Sequence, residues 1–182
     1  IYGGRDRVDL GKIRELGLPF WLAGGYGSPE KLREALAAGA AGVQVGTAFA
    51  FCSESGLRED YKQALLTKVM SGDARVVTDS LASPTSFPFK VALLEGSLSE
   101  DEVYSARPRI CDLGYLSEAY KDTEGKISYR CPGEPVSIYL SKSGTQEDTL
   151  GRKCLCNALM ATIGLPQIRG GKYSEKGLVT SG

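Results

Sequence analysis

Two glycine-rich turns, Gly24-Gly25-Tyr26-Gly27 and Gly46-Thr47, stand out in the stretch PFWLAGGYGSPEKLREALAAGAAGVQVGT at residues 19–47. Glycine has no Cβ, so backbone N–H groups in such turns can approach an anion closely. A helix N-terminus just behind them adds partial positive charge. The chemistry that suits these residues is the holding of a phosphate or a phosphorylated cofactor. One such turn is explained as well by tight turning and close helix packing at Gly24, Gly25 and Gly46; two in register favour the phosphate.

The remaining reactive side chains narrow what this chain can do. It has no histidine, so acid–base steps fall to Lys, Tyr, Cys, Asp, Glu or a cofactor atom, and no single residue is marked as catalytic. Ser-His triads and histidine-ligated metals are excluded. Cys111, Cys131, Cys154 and Cys156 lack the paired Cys-x-x-Cys spacing of a zinc ribbon, so no metal site is assigned. Reduced thiols in a core, a thiolate metal or a disulfide all stay open for them. Cys52 is read as packing, and Glu54 and Lys62 as solvated surface charges rather than substrate contacts.

The turns need elements to position them. Pro19-Phe20-Trp21-Leu22-Ala23 is an apolar run without alternation, as expected of a parallel strand buried on both faces. Ser28 is placed to cap a helix, Pro29 suits its first turn, Leu32, Ala35 and Leu36 form its apolar stripe, and Gly39 stops it. Gly42-Val43-Gln44-Val45 is a second strand, and Ala48-Phe49-Ala50-Phe51 continues its apolar run. A strand–helix–strand unit of this kind puts both turns at one end of a sheet.

Around that unit, residues 1–8 are charged and turn-rich and read as surface. Asp9 caps a short helix with Leu10, Ile13 and Leu16 on one face and Gly17 at its end. A second long helix fits residues 57–70 and a strand fits residues 74–78. The segment DSLASPTSFPFK, with two prolines, is expected to be irregular. A short helix after it is capped by Ser97 or Ser99 and ends before Pro108. Beyond Arg109 the composition shifts to Tyr, Cys, Gly and Pro; Leu155 to Ile163 is the clearest helix there, and the tail from Gln167 is expected to be poorly fixed unless docked. The organisation read from this is residues 1–80 as strand–helix units, 81–108 as loop and short helix, and 109–182 as an extension.

Acidic and basic residues balance at 22 each, which gives no basic surface for nucleic acid or membrane. No apolar run is long enough to span a bilayer and no signal-peptide pattern is present, so a soluble cytoplasmic protein is expected. The start at Ile1 suggests an upstream part that was removed or not included.

At AGGYGSPEKLREALAAGAAGVQVGTAF followed by CSESGLREDYKQAL, the chain resembles the nitronate monooxygenase family, formerly 2-nitropropane dioxygenases. The resemblance is good over about residues 19–66 and weaker in the cysteine-bearing segment. It implies an α/β fold, the C-terminal part of a (β/α)8 TIM barrel carrying a Cys- and Tyr-containing extension. It implies FMN as cofactor, with the backbone around Gly24, Gly25, Gln44, Val45, Gly46 and Thr47 holding the flavin phosphate. It also implies a nitronate or related carbon acid as substrate and O2 as oxidant.

The family's basic histidine cannot be carried over. A barrel needs about eight strands and roughly 250 residues, so the earlier strands, the ring contacts and the base are expected on a missing segment or another chain. The alternatives are an FMN-dependent enoyl-acyl carrier protein reductase, a flavin-free phosphate-binding barrel isomerase or synthase, and a non-catalytic assembly half.

Overall fold

Asp9 starts the first helix by accepting the Gly11 and Lys12 N–H groups at 3.0 and 3.3 Å. Helix α1 (Leu10–Glu15) then gives way to Gly17 at φ 67°. The structure, a computed structural model, describes residues 8–180; the expected surface segment lies outside them apart from Val8. Two compact units divide the chain between Cys52 and Ser53, so residues 53–80, 81–108 and 109–180 share one unit.

The first unit holds α1, β1 (Trp21–Leu22), α2 (Pro29–Ala37), β2 (Gly42–Val43) and α3 (Thr47–Ala50). Ser28 Oγ accepts the Lys31 N–H at 3.3 Å and Pro29 sits in the first turn, which fixes where α2 begins. Gly39, at φ 87°, ends it in a conformation that glycine adopts without a Cβ clash. β1 and β2 run parallel, with Trp21 opposite Gly42 and Leu22 opposite Val43. The Ala41 and Gln44 N–H groups donate to the Phe20 and Leu22 carbonyls, both at 2.8 Å.

Both strands are shorter than the runs at residues 19–23 and 42–45, and they are not buried on both faces. Trp21 is 59% exposed and Leu36 51%, while Ala35 and Ala40 are the buried hydrophobics of the described residues here. The reason is geometric: two parallel strands with one crossover helix have nothing to cover the second face. Ala48–Phe51 does not extend the strand either, because Ala50 N–H turns back to the Gly46 carbonyl at 3.0 Å and closes α3.

The second unit contains α4 (Glu59–Ser71), β3 (Val76–Asp79), β4 (Phe89–Ala92), α5 (Asp101–Ala106), β5 (Glu118–Lys121), β6 (Ile127–Arg130), α6 (Val136–Ser141), a 3-10 turn at Glu147–Thr149, α7 (Leu155–Thr162), β7 (Ile168–Arg169) and β8 (Tyr173–Ser174). β3 pairs antiparallel with β4, β5 with β6, and β7 with β8. The class is therefore mixed α/β, but no barrel is present among the described residues: the sheets are four strand pairs, and β1–β2 alone is parallel.

Two local expectations are corrected here. Phe89 and Lys90, read as irregular, begin β4, because Pro88 precedes the ladder and so costs it no hydrogen bond. Ser97 and Ser99 do not cap α5, whose N-cap residue is Glu100. They build the turn before it: Ser97 Oγ donates to the Leu94 carbonyl at 2.7 Å, and Ser99 Oγ accepts the Leu94 N–H at 2.9 Å.

The core gathers Ala82, Val91, Leu98, Leu155, Ala158 and Leu178, with Phe89, Val103, Leu116 and Leu159 partly buried against it. The tail is docked into this core. Leu98 N–H donates to the Gly177 carbonyl and Ala92 N–H to the Val179 carbonyl, each at 2.9 Å, and Leu178 is fully buried. Gly177 passes so close to Tyr61 that a Cβ would lie 2.4 Å from its ring, and one at Gly144 would lie 2.1 Å from the Tyr139 ring.

Across this core runs an ion pair with neither side chain exposed, Arg107–Glu175. Arg107 Nε and Nη2 donate to the two carboxylate oxygens at 2.8 and 2.9 Å, and Arg169, Tyr173 and the Lys176 N–H add further donors. Burial alone would raise the Glu175 carboxyl pKa. The Arg107 hydrogen bonds and charge outweigh that and hold it below the usual carboxylate range.

A depressed folded-state pKa makes this stabilisation present above the ordinary carboxyl range and lost as pH falls through the folded value. Replacing Glu175 strands a buried guanidinium. We predict that Glu175→Gln loses about 3–5 kcal/mol in urea unfolding followed by far-UV circular dichroism near neutral pH. The difference from wild type is expected to narrow below about pH 4. A variant as stable as wild type at neutral pH would refute the role given to this pair.

Candidate functional site

The parallel register decides where the two glycine turns go. From the Leu22–Val43 pair, one strand continues into Ala23-Gly24-Gly25 and the other into Gln44-Val45-Gly46-Thr47, so both turns leave from the same end. They also approach each other directly, since a Cβ on Gly27 would lie 3.4 Å from Val45 Cγ1. Gly24 and Gly25 stand at φ 81° and 92°, torsions that a side chain strains. Gly46, at φ −104°, has no torsional need to be glycine.

A Cβ built on Gly24, Gly25 or Gly46 meets nothing within 4 Å, so open space borders the backbone of both turns. Gln44 and Gly46 are exposed and Val45 and Thr47 half-buried. α3 behind the second turn is four residues long, so its dipole adds little, and the turn amides are the polar groups this end of the strands offers.

The other sequence candidates fall elsewhere. Cys52 Sγ donates to the Phe49 carbonyl at 3.0 Å, and Glu54 accepts the Ser53 hydroxyl at 2.8 Å. Lys62 is a correction: it is 3% exposed rather than solvated, with its ammonium 3.4 Å from Glu59, because α4 turns its side chain inward beside Tyr61 and Leu65.

All five cysteines are free thiols, and no group of His, Cys, Asp and Glu that could hold a metal occurs among the described residues. Cys111, Cys131 and Cys154 nevertheless converge. Cys131 Sγ and Cys154 Cα both border the space beside Gly133, and Cys154 Sγ lies 3.7 Å from the carbonyl of Ile110, the residue before Cys111. Sequence spacing carries no signal of this meeting, nor of Arg107 with Glu175, because each depends on segments brought together only by the fold.

Residues 6–82 match the family model described as nitronate monooxygenase. The match extends the resemblance on both sides of residues 19–66 and stops before the cysteine-bearing segment. No curated protein matches the chain, and no solved structure does. No helix among the described residues is long and apolar enough to cross a membrane.

Trp21, the single tryptophan, lies at the base of this site with Gly42 against its ring, where a Cβ would come within 3.2 Å. Its exposure predicts emission typical of hydrated indole and efficient quenching by acrylamide. Emission shifted to the blue, with weak quenching, would show that the β1 face is covered in solution.

Proposed function

We propose, with the nitronate monooxygenase match over residues 6–82 as premise, that this chain supplies the FMN phosphate site of an oxidoreductase that oxidises alkyl nitronates with O2. The observation that carries this reading is the parallel register that brings Gly24–Gly25 and Gln44–Thr47 to one end of β1 and β2. The residues suit a phosphate: open space borders Gly24, Gly25 and Gly46, where any side chain would take the room of phosphate oxygens.

Backbone N–H groups around Gly24, Gly25, Val45, Gly46 and Thr47 would hold the phosphate, with the Thr47 hydroxyl as an added donor, while the Gln44 N–H is engaged by the Leu22 carbonyl and fixes where the second turn leaves the strand. FMN, when bound, supplies the two-electron chemistry between nitronate and oxygen. The chain's own part is to bind and orient. With no histidine in the chain and no carboxylate, lysine or cysteine at these turns, the proton-transfer group and the ring contacts are assigned to further barrel strands, on an upstream segment or another chain. Such strands would also cover the exposed Trp21 face.

Titration of the chain with FMN and with riboflavin, followed by flavin fluorescence, tests the phosphate site. FMN is expected to bind weakly but about tenfold tighter than riboflavin, the worth of charge-assisted hydrogen bonds to the phosphate. Gly46→Val is expected to abolish that difference without backbone strain and with unchanged circular dichroism. Equal affinity for the two flavins in the wild-type chain would overturn the site. With propyl-2-nitronate and FMN in air, the chain alone is expected to consume no oxygen; turnover would place the base within it.

A further inference from the structure

β3 carries a backbone edge that the fold leaves open. Its register with β4 fixes which groups point where: Leu93 N–H donates to the Arg75 carbonyl at 2.9 Å, and Val77 lies opposite Val91. In an antiparallel ladder hydrogen-bonded and non-hydrogen-bonded pairs alternate, so Arg75, Val77 and Asp79 turn their N–H and C=O groups toward β4. Val76 and Thr78 turn theirs to the opposite side. On the far edge of β4, Ala92 N–H donates to the Val179 carbonyl at 2.9 Å and Val91 bridges Thr180, so the docked tail occupies that side. The outer side of β3 has no strand partner among the described residues.

The residues along this edge do not close it. Val76-Val77-Thr78 has no proline and no charge, two of the devices by which sheet edges are commonly blunted. Val76 is 50% exposed and Val77 43%, and Arg75 is exposed with no ion pair among the described residues. Asp79 uses Oδ1 to accept the Leu81 and Ala82 N–H groups at 2.8 and 2.9 Å, which leaves Oδ2 for a further donor.

We propose that this edge pairs with the same edge of a second copy of the chain, antiparallel about a twofold axis at Val77. A twofold axis normal to the sheet puts one residue opposite itself. With Val77 there, Val76 of each copy lies opposite Thr78 of the other. These are the residues whose N–H and C=O groups point outward, so each such pair exchanges both hydrogen bonds. Arg75 lies opposite Asp79 of the second copy, at a non-hydrogen-bonded position where side chains stand closest, and the symmetry repeats that contact. The product is a continuous antiparallel sheet in the order β4–β3–β3–β4.

Charge order is what selects a second copy as the partner. Arg75-Val76-Val77-Thr78-Asp79 runs from a cation to an anion, so an identical strand meets it charge for charge when antiparallel. An identical strand running parallel and in register would set like charges side by side. Centred on Val76, the antiparallel pairing would put Arg75 opposite Val77 and Asp79 opposite Asp73; centred on Thr78, it would put Arg75 opposite Leu81. The Val77 register alone satisfies both the outward backbone groups and the charges. An edge this short buries less than a standard interface, so association at micromolar chain concentrations is expected.

Analytical ultracentrifugation of the full chain over about a hundredfold range of micromolar concentration is expected to show a monomer–dimer equilibrium. Val77→Lys sets two ammonium groups opposite each other on the axis, and Arg75→Asp sets carboxylate against carboxylate at each end. Each is expected to weaken dimerisation at least about tenfold with unchanged circular dichroism. Cross-linking reads the register separately. With copper phenanthroline in air, Val77→Cys is expected to form a disulfide between the two copies at that position, identified by peptide mapping, whereas Val76→Cys, opposite Thr78, is not. A monomer throughout the range, a dimer that a folded Val77→Lys variant leaves intact, or equal cross-linking at the two positions would overturn the proposal.

Discussion

A carboxylate and a guanidinium wholly shielded from water, Glu175 and Arg107, set the terms for the second unit. Two such charges are tolerated when hydrogen bonds compensate the lost water, and here the carboxylate is the better served, since Arg107 Nη1 has no partner among the described residues. Four donors besides Arg107 Nε serve Glu175, and they come from the Arg107 Nη2, Arg169, Tyr173 and the Lys176 backbone. Satisfying them requires the β7–β8 hairpin to fold back over the end of α5. Beyond it, Gly177, Leu178 and Val179 run through the core, bonded to Leu98 and Ala92. A tail composed largely of polar residues and glycine is held by this requirement, with Leu178 as its apolar anchor.

The first unit works under the opposite constraint, a shortage of cover. Its two strands satisfy each other along one edge through Ala41, Gln44 and their carbonyl partners, and α2 shields one face through Ala35. Among the described residues, nothing in the unit shields Trp21, Leu36 or Phe49. The glycine turns are nonetheless well placed, because parallel pairing alone is enough to bring strand ends together. Positioning of the turns therefore needs far less structure than enclosure of a ligand, which agrees with an anchoring rather than a catalytic part for these residues.

What could be read from the sequence follows the range of each interaction. The caps at Asp9 and Ser28 and the stops at Gly17 and Gly39 act over three or four residues, and they are legible. The strand–helix–strand order around the two turns is legible for the same reason. Longer-range features are not: Phe89–Ala92 becomes a strand through partners at Val76–Asp79, and Lys62 is drawn inward by the packing of Tyr61 and Leu65. Ser97 and Ser99 mislead because serine caps a turn as readily as a helix, and only the position of Leu94 decides between them. The barrel inferred from resemblance stays a matter of family, since the described strands pair only two by two.

The glycines fall into two chemically separable kinds. Gly24 and Gly25 are required by handedness: their torsions suit a residue of the opposite chirality, and the space beside them is open. Gly144 and Gly177 are required by volume, since an added Cβ would enter the rings of Tyr139 and Tyr61. A side chain is thus opposed by backbone torsion at the first pair and by the atoms it would meet at the second. The same residue type guards a torsion in one unit and an atom-sized gap in the other.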